Sequence, residues 1–514
     1  MRKKNAAKNV IITVITNIIC FVFGYGSRMM LARYLSSEYL GINSLFQDIL
    51  SILSISELGI ASAMAYALYK PVAENDEEHI AKLINLYKRM YMAVAAFIAI
   101  AGLILVPFLP VLIKEYNTIP HIAWYYLMFL AQTVLSYCCY YKTAVLTAYQ
   151  RQHVMSVYFC IGTLARYTLQ IIILWLTHNF ALYVGIQALF SFLPNLIGSR
   201  RAEKDYPFIC GDKKTLPEKE ERHTIYKNIF AMAMHKIGTV LVNNTDSLIM
   251  SSFLGLSIVG IFSNYRLIVN TLSKFVKQAI ESISATVGNL GAVETYTKIH
   301  SVYKKVYALC AVGYSYCCVM MAVLFTDYIL LGFGNEYLLP TGVCILMLVD
   351  FYTKGMRTPT LCFRDAMGVF WYDRYKPIFE IVINLVTSII LVQKIGISGI
   401  IAGTLISFFL TSFWVDPYVW FKYGTKENWE KNLTEYFIEY ILDGAKTVFI
   451  AWAVYKICAV IPYAGFLGII TKGITGTLLF IPFAIVLYIF PYIHSAKKSG
   501  EWDFSFVKVR RKIS

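Results

Sequence analysis

Charge is scarce in this chain, and negative charge is scarcest. Charged residues make up 15% of the 514, and 31 acidic side chains face 47 lysines and arginines, for a net charge of +16. No G-x-x-x-x-G-K-[ST] loop is present, so no phosphate-cradling ATPase site is built into the sequence. No H-E-x-x-H and no Cys/His cluster occurs, which leaves no metal site to read and no cofactor to expect. The eleven cysteines are odd in number and scattered, with Cys138, Cys139, Cys317 and Cys318 inside apolar runs. They form no disulfide framework and read as small buried apolar residues. No polar segment is long enough for an independent soluble domain.

What is present is apolar sequence. Hydrophobic residues reach 58% and the mean hydropathy is +0.57. Runs of roughly 20 apolar residues, the length needed to span a bilayer as a helix, recur from Val10 to Tyr492. The fold class this predicts is all-α: a polytopic membrane protein with about fourteen transmembrane helices. The expected spans are 10–34, 39–69, 84–113, 121–149, 154–177, 181–199, 225–254, 257–287, 301–333, 341–370, 376–394, 398–421, 439–459 and 466–492.

The basic opening "MRKKNAAKNV" leads straight into the first span with no small-residue cleavage site, so it reads as a retained helix and not as a signal peptide. With the N-terminus inside, the inner segments collect Arg2, Lys3, Lys4, Lys8, Arg151, Arg200, Arg201, Lys204, Lys422, Lys426 and the basic tail, while the outer loops offer little beyond Lys114 and Lys394. That asymmetry predicts a cytoplasmic-membrane protein with both termini in the cytoplasm. It also accounts for the positive net charge without invoking nucleic acid.

The longest connection, "RRAEKDYPFICGDKKTLPEKEER" (200–222), is polar and punctuated by Gly and Pro, as a linker is. The expected organisation is an N-terminal lobe at 1–199, a cytoplasmic linker at 200–224, a C-terminal lobe at 225–421, two extra helices at 422–492 and a basic tail at 493–514. The halves echo one another. "RYLSSEYLGINSLFQDI" (33–49) aligns with "SFLGLSIVGIFSNYRLI" (252–268), placing Gly41 on Gly260 and Ser44 on Ser263. A six-plus-six repeat in one orientation fits a parallel duplication.

Ionisable residues deep in a membrane are costly, about 2.5–3.5 kcal/mol each on insertion scales, and mark pathways and partners. At about 1.5 Å per residue, Asp246 in "LVNNTDSLIMSSFLG" (241–255) lies roughly 12 Å below the end of its helix, level with Arg266 on the next. An Asp246–Arg266 ion pair is therefore expected, either as a static lock or as a gating and coupling element. Arg28 follows Gly24 and Gly26, small residues that admit a neighbour closely. Arg166 and Lys236 fall near mid-span. Asp350, Lys354 and Arg357 share one helical face at i, i+4 and i+7, and Pro359 predicts a kink. Lys142 in "KT" (142–143) aligns with Arg357 in "RT" (357–358). Asp48 and Glu57 are the main acids of the first half. Glu380, Asp327 and Asp416 fall near span ends and are expected at the interface without a role. A cavity rich in cations favours an anion, and the planar guanidinium fork suits phosphate oxygens.

With these residues in view, the chain resembles the bacterial polysaccharide-unit flippases, the O-antigen-type members of the multidrug/oligosaccharidyl-lipid/polysaccharide exporter superfamily. The resemblance is carried by "NNTDSLIMSSFLGLSIVGIFSNYRLI" (243–268) and by the opening helices at 9–63. It implies two six-helix lobes around a central cavity, and movement of an undecaprenyl-diphosphate-linked oligosaccharide from the inner to the outer leaflet by alternating access. It implies no enzyme activity and no cofactor, only H⁺ or Na⁺ as coupling ion, with a polysaccharide polymerase and other assembly proteins as partners. Arg28 and Arg266 match positions where the family tends to place basic cavity residues. Lys142, Arg166, Lys236, Lys354 and Arg357 join them on chemistry as diphosphate or sugar contacts, and Asp48, Glu57, Asp246 and Asp350 as coupling or gating acids. Competing readings are a drug antiporter of the same superfamily, a membrane polymerase or acyltransferase, and a scaffold subunit. The deep cations disfavour the first, and the short outer loops disfavour the second.

Overall fold

The computed structural model describes residues 2–491 except 58, 150 and 212–214. The basic tail expected at 493–514 lies outside the described residues. No strand occurs among those described, and the main helices are α1 (Arg2–Tyr34), α2 (Ser37–Leu53), α3 (Ile60–Glu74), α4 (Glu77–Leu105), α5 (Ile122–Tyr140), α6 (Gln152–Thr177), α7 (Phe180–Asp205), α8 (Lys219–Phe253), α9 (Leu256–Glu281), α10 (Tyr296–Gly332), α11 (Thr341–Met356), α12 (Thr358–Ala366), α13 (Lys376–Ile395), α14 (Ile397–Leu410), α15 (Ser412–Val419), α16 (Trp429–Cys458) and α17 (Gly465–Ala484). Eight helical segments among the described residues are long and apolar enough to cross a membrane by length and composition. The chain is an all-helical, multi-pass membrane protein, as expected.

Several expected spans are interrupted, for local reasons. The second divides at a 3₁₀ turn, Ser54–Glu57, before Gly59 at φ 96°, a conformation glycine tolerates best. The fourth divides between Tyr140 and Thr143, where the short helix Thr143–Ala148 begins. The tenth ends at Met356, and α12 restarts at Thr358 with Pro359 in its first turn, where the missing N–H is harmless. The kink expected at Pro359 is thus a helix restart.

Two compact units emerge from the contacts. The first takes the chain to Ser263 together with Pro377–Gly403. Its core sets Phe46 of α2 edge-on against Tyr126 and Phe129 of α5, with centroids 5.3 and 5.7 Å apart, pairs worth about 0.5–1.5 kcal/mol beyond area burial. Asp76 caps α4 through the His79 amide at 2.9 Å, and Asn179 caps α7 through the Leu182 amide at 3.2 Å. Pro194 inside α7 fits against Gly162 of α6, where a Cβ would meet its ring.

The second unit comprises Asn264–Lys376 and the chain from Thr404. Its spine is α10, 37 residues long, against which α11, α16 and α17 pack. Ser315 of α10 hydrogen-bonds with Thr447 of α16 at 2.6 Å and with Tyr488 at 2.8 Å, and these two meet each other at 3.0 Å. Tyr488 stands in a π-helical turn, Ile485–Ile489, just after Pro482, whose absent N–H loosens the ladder there.

Candidate functional site

In the first unit, the small residues of α1 shape the site. A Cβ on Gly24 would come within 3.0 Å of the Tyr167 hydroxyl, so α1 and α6 approach closely. Beside this contact, buried Ser27 donates to Gln170 Oε1 at 3.4 Å and meets the Tyr183 hydroxyl at 3.4 Å, while Gln170 Nε2 donates to the Tyr183 carbonyl at 3.2 Å. This polar ring satisfies buried groups that would otherwise be costly.

Arg28 and Arg166 differ in their partners. Arg28 donates to Ser44 at 3.5 Å and, more closely, to Ser263. Arg166 stacks on Tyr167 with its guanidinium carbon 4.5 Å from the ring centroid. Its Nε is buried without a hydrogen-bond partner, and no acid pairs with it among the described residues. Gln47 is exposed although its neighbours from Leu40 to Leu50 are buried. In the alignment of 33–49 with 252–268 it falls on Arg266.

Of the expected acids, Asp48 is buried on α2. Glu57 accepts a hydrogen bond from Tyr137, which stacks on Tyr91 with centroids 6.1 Å apart. Asp246 on α8 and Arg266 on α9 are each half-buried. Near Asp246, Asn244 Nδ2 donates to Ser51 Oγ at 3.4 Å and to the Val240 carbonyl at 2.7 Å. The side chains of Lys236 and Asn243 lie outside the described residues.

Lys142, expected to draw in an anion, is ion-paired with Glu203 near the end of α7. In the second unit, Lys354 pairs with Asp350 at 2.9 Å, as their i, i+4 spacing allows. Arg357 has a different partner. It stands at the break between α11 and α12 and reaches Asp416 with Nε at 2.9 Å and Nη2 at 2.8 Å.

Asp416 overturns its expected place at the interface, since it is wholly buried, and Glu380 is buried as well. Asp327, also expected to be idle, pairs with Lys472 at 2.6 Å. Around Asp416 gather Arg357, Arg364 at 3.4 Å and, more closely, Lys376; Arg364 also binds Asp373 and, at 2.8 Å, Asp365. Three cations thus face three acids, the arrangement in which buried charge is tolerated. Arg364 and Asp373 were missed because Arg364 falls near the inner end of the expected span 341–370 and Asp373 in the short polar connection that follows it.

The chain matches the model of a family described as polysaccharide biosynthesis protein over residues 6–283, more than half of its length. No match was found among the curated proteins. Among solved structures it is similar to the lipid II flippase MurJ in an inward closed conformation, with 13% identity, a TM-score of 0.64, and coverage of 93% of this chain and 99% of that one. It is also similar to an inward-facing multidrug resistance MATE family transporter of the MOP superfamily, with 14% identity, a TM-score of 0.58, and coverage of 77% and 94%. The MATE multidrug transporter DinF-BH gives 15%, 0.51, and 79% and 91%. At these identities the likeness establishes a shared fold. This chain is therefore a multi-pass membrane protein of the polysaccharide biosynthesis protein family, with the fold of the MOP superfamily transporters.

Proposed function

We propose that the protein moves an undecaprenyl-diphosphate-linked oligosaccharide across the cytoplasmic membrane by alternating access, with N- and C-termini inside. The observation that carries this reading is Arg166, a half-buried cation stacked on Tyr167, the ring that packs against Gly24 of the helix bearing Arg28, with no acid paired to it among the described residues. Such a cation binds an anion at little reorganisation cost, and charge-assisted bonds to phosphate oxygens are about twice as strong as neutral ones. The family description supports a role in polysaccharide assembly.

In this reading Arg28, Arg166 and Arg266 hold the diphosphate. Lys142, Lys354 and Arg357 keep to their carboxylate partners and guide the headgroup only through their field. Lys236 remains a candidate contact. Asp246, Asp48 and Glu57 serve ion coupling by H⁺ or Na⁺, with Asp246 paired to Arg266 in part of the cycle, and Asp350 tunes Lys354. Two six-helix lobes, 1–199 and 225–421, rock about the site, and the polymerase takes the product.

Complementation of a cell lacking its lipid-linked-oligosaccharide flippase tests this. Wild type restores surface glycan, while Arg28→Ala, Arg166→Ala and Arg266→Ala fail at normal membrane levels and Asp246→Asn fails with them. Full complementation by all four variants defeats the assignment. A drug antiporter is the second reading, favoured by the fold shared with the MATE transporter; efflux of cationic dyes unaffected by the arginine variants would support it instead.

A further inference from the structure

The echo between 33–49 and 252–268 has a counterpart in space. At the shift that puts Gly41 on Gly260, Ser37 falls on Leu256 and Ser44 on Ser263. A Cβ on Gly41 would run into the Leu256 carbonyl, and a Cβ on Gly260 would run into the Ser37 carbonyl. Each helix lodges its own first-turn carbonyl in the glycine notch of the other, so α2 and α9 cross reciprocally at equivalent positions. The hydroxyls of Ser37 and Ser257 meet at 2.7 Å beside the crossing.

One turn along both helices, Arg28 spans the equivalent pair, donating to Ser44 and Ser263. Ser263 commits its own proton to the Gly260 carbonyl at 2.7 Å, which leaves its lone pairs for the guanidinium and ties that bond to the crossing. Both serines are buried. A further turn on, Gln47 is exposed and donates to Asn43 Oδ1 at 3.1 Å.

We propose that Arg28 is a ligand-released latch on the α2–α9 crossing. A phosphate-bearing headgroup offers charged oxygens in place of two neutral hydroxyls; when Arg28 turns to it, the bridge between Ser44 and Ser263 is lost and the helices are free to part at Gly41 and Gly260. The serines are thus positioning residues that keep the crossing shut until cargo arrives. The inference rests on the reading of Arg28 as a diphosphate contact, and on the orientation that puts the crossing at the outer face.

The test uses the full-length protein carrying Gln47→Cys, with the parent protein as the baseline for its native cysteines. In spheroplasts, labelling by a membrane-impermeant maleimide reports opening; in purified protein, binding of undecaprenyl diphosphate reports Arg28. Ser44→Ala with Ser263→Ala is expected to raise labelling at least about fivefold, the lower end of a typical coupling between sites, while binding stays at the wild-type level. Arg28→Ala is expected to lose binding. Unchanged labelling in the double variant with intact binding overturns the latch and leaves the anion reading standing. Wild-type binding by Arg28→Ala overturns the anion reading, and the release step with it. Should the double variant fail to accumulate, Ser44→Ala alone gives a smaller rise, and no rise overturns the latch.

Discussion

Arg357 closes on Asp416 with two nitrogens, at 2.9 and 2.8 Å, from the residue at which its helix breaks. Lys142 stands at the matching break in the first half and closes on Glu203. The partners are separated by 59 and 61 residues, respectively. In each case a cation at the break of the fourth expected span of its half reaches an acid on the helix of the sixth, with Glu203 just beyond the expected span 181–199.

Removing the acid at the centre of the buried cluster leaves three cations facing two acids, Asp373 and Asp365. Asp416→Asn is expected to destabilise the protein by about 3–5 kcal/mol, seen as a lower unfolding midpoint and less monodisperse protein in detergent. Asp365→Asn removes a partner whose side chain is 57% exposed, and its effect should stay within about 1 kcal/mol.

At the other break, Lys142→Glu and Glu203→Lys each lose a part-buried pair. The double exchange should recover stability relative to the sum of the singles by about 0.5–3 kcal/mol, measured as a double-mutant cycle. Additive losses would mean that the pair is energetically idle.

Gly255 has φ 100°, and a Cβ there would collide with the Glu115 carboxylate, which accepts the Leu256 amide at 2.9 Å. Gly255→Ala is expected to cost about 1–2 kcal/mol or more. Glu115→Gln keeps an acceptor and should be milder than Glu115→Ala, which loses a capping bond worth about 1 kcal/mol. Thermal unfolding of the three variants ranks them.

Glu435 precedes the thirteenth expected span (439–459), and its hydrogen bond from Lys304 at 2.8 Å lowers its pKa below the usual glutamate value. A carboxylate with a depressed folded-state pKa contributes stability that is present above its unfolded value, about 4.3, and is lost as pH falls through the folded one. The side chains are about one-third exposed, so solvent screening holds the contribution below about 1 kcal/mol. Lys304→Met should flatten the stability–pH profile between about pH 5 and 3, and leave it unchanged near neutrality apart from a small uniform loss.

The class of fold was legible because apolar runs and loop charges obey the bilayer directly. The breaks were less so: Pro359 pointed to one, but nothing in "YYKTAV" (140–145) marks the other. Charges could be located along the chain, yet their partners could not. Asp416 misled because it lies near the end of a continuous apolar run, 398–421, and its three cations come from a helix break and two other helices. Gly41 and Gly260 aligned in the sequence, but only packing reveals that each receives the carbonyl of the other helix.

The Lys142–Glu203 pair and the α2–α9 crossing also carry an order in time. Lys142 can meet Glu203 once about 205 residues have entered the bilayer, whereas the Gly41–Leu256 crossing must wait until α9 is inserted. During vectorial synthesis, which completes N-terminal parts first, the first half braces its own fourth and sixth spans before the segment that will cross α2 has left the ribosome.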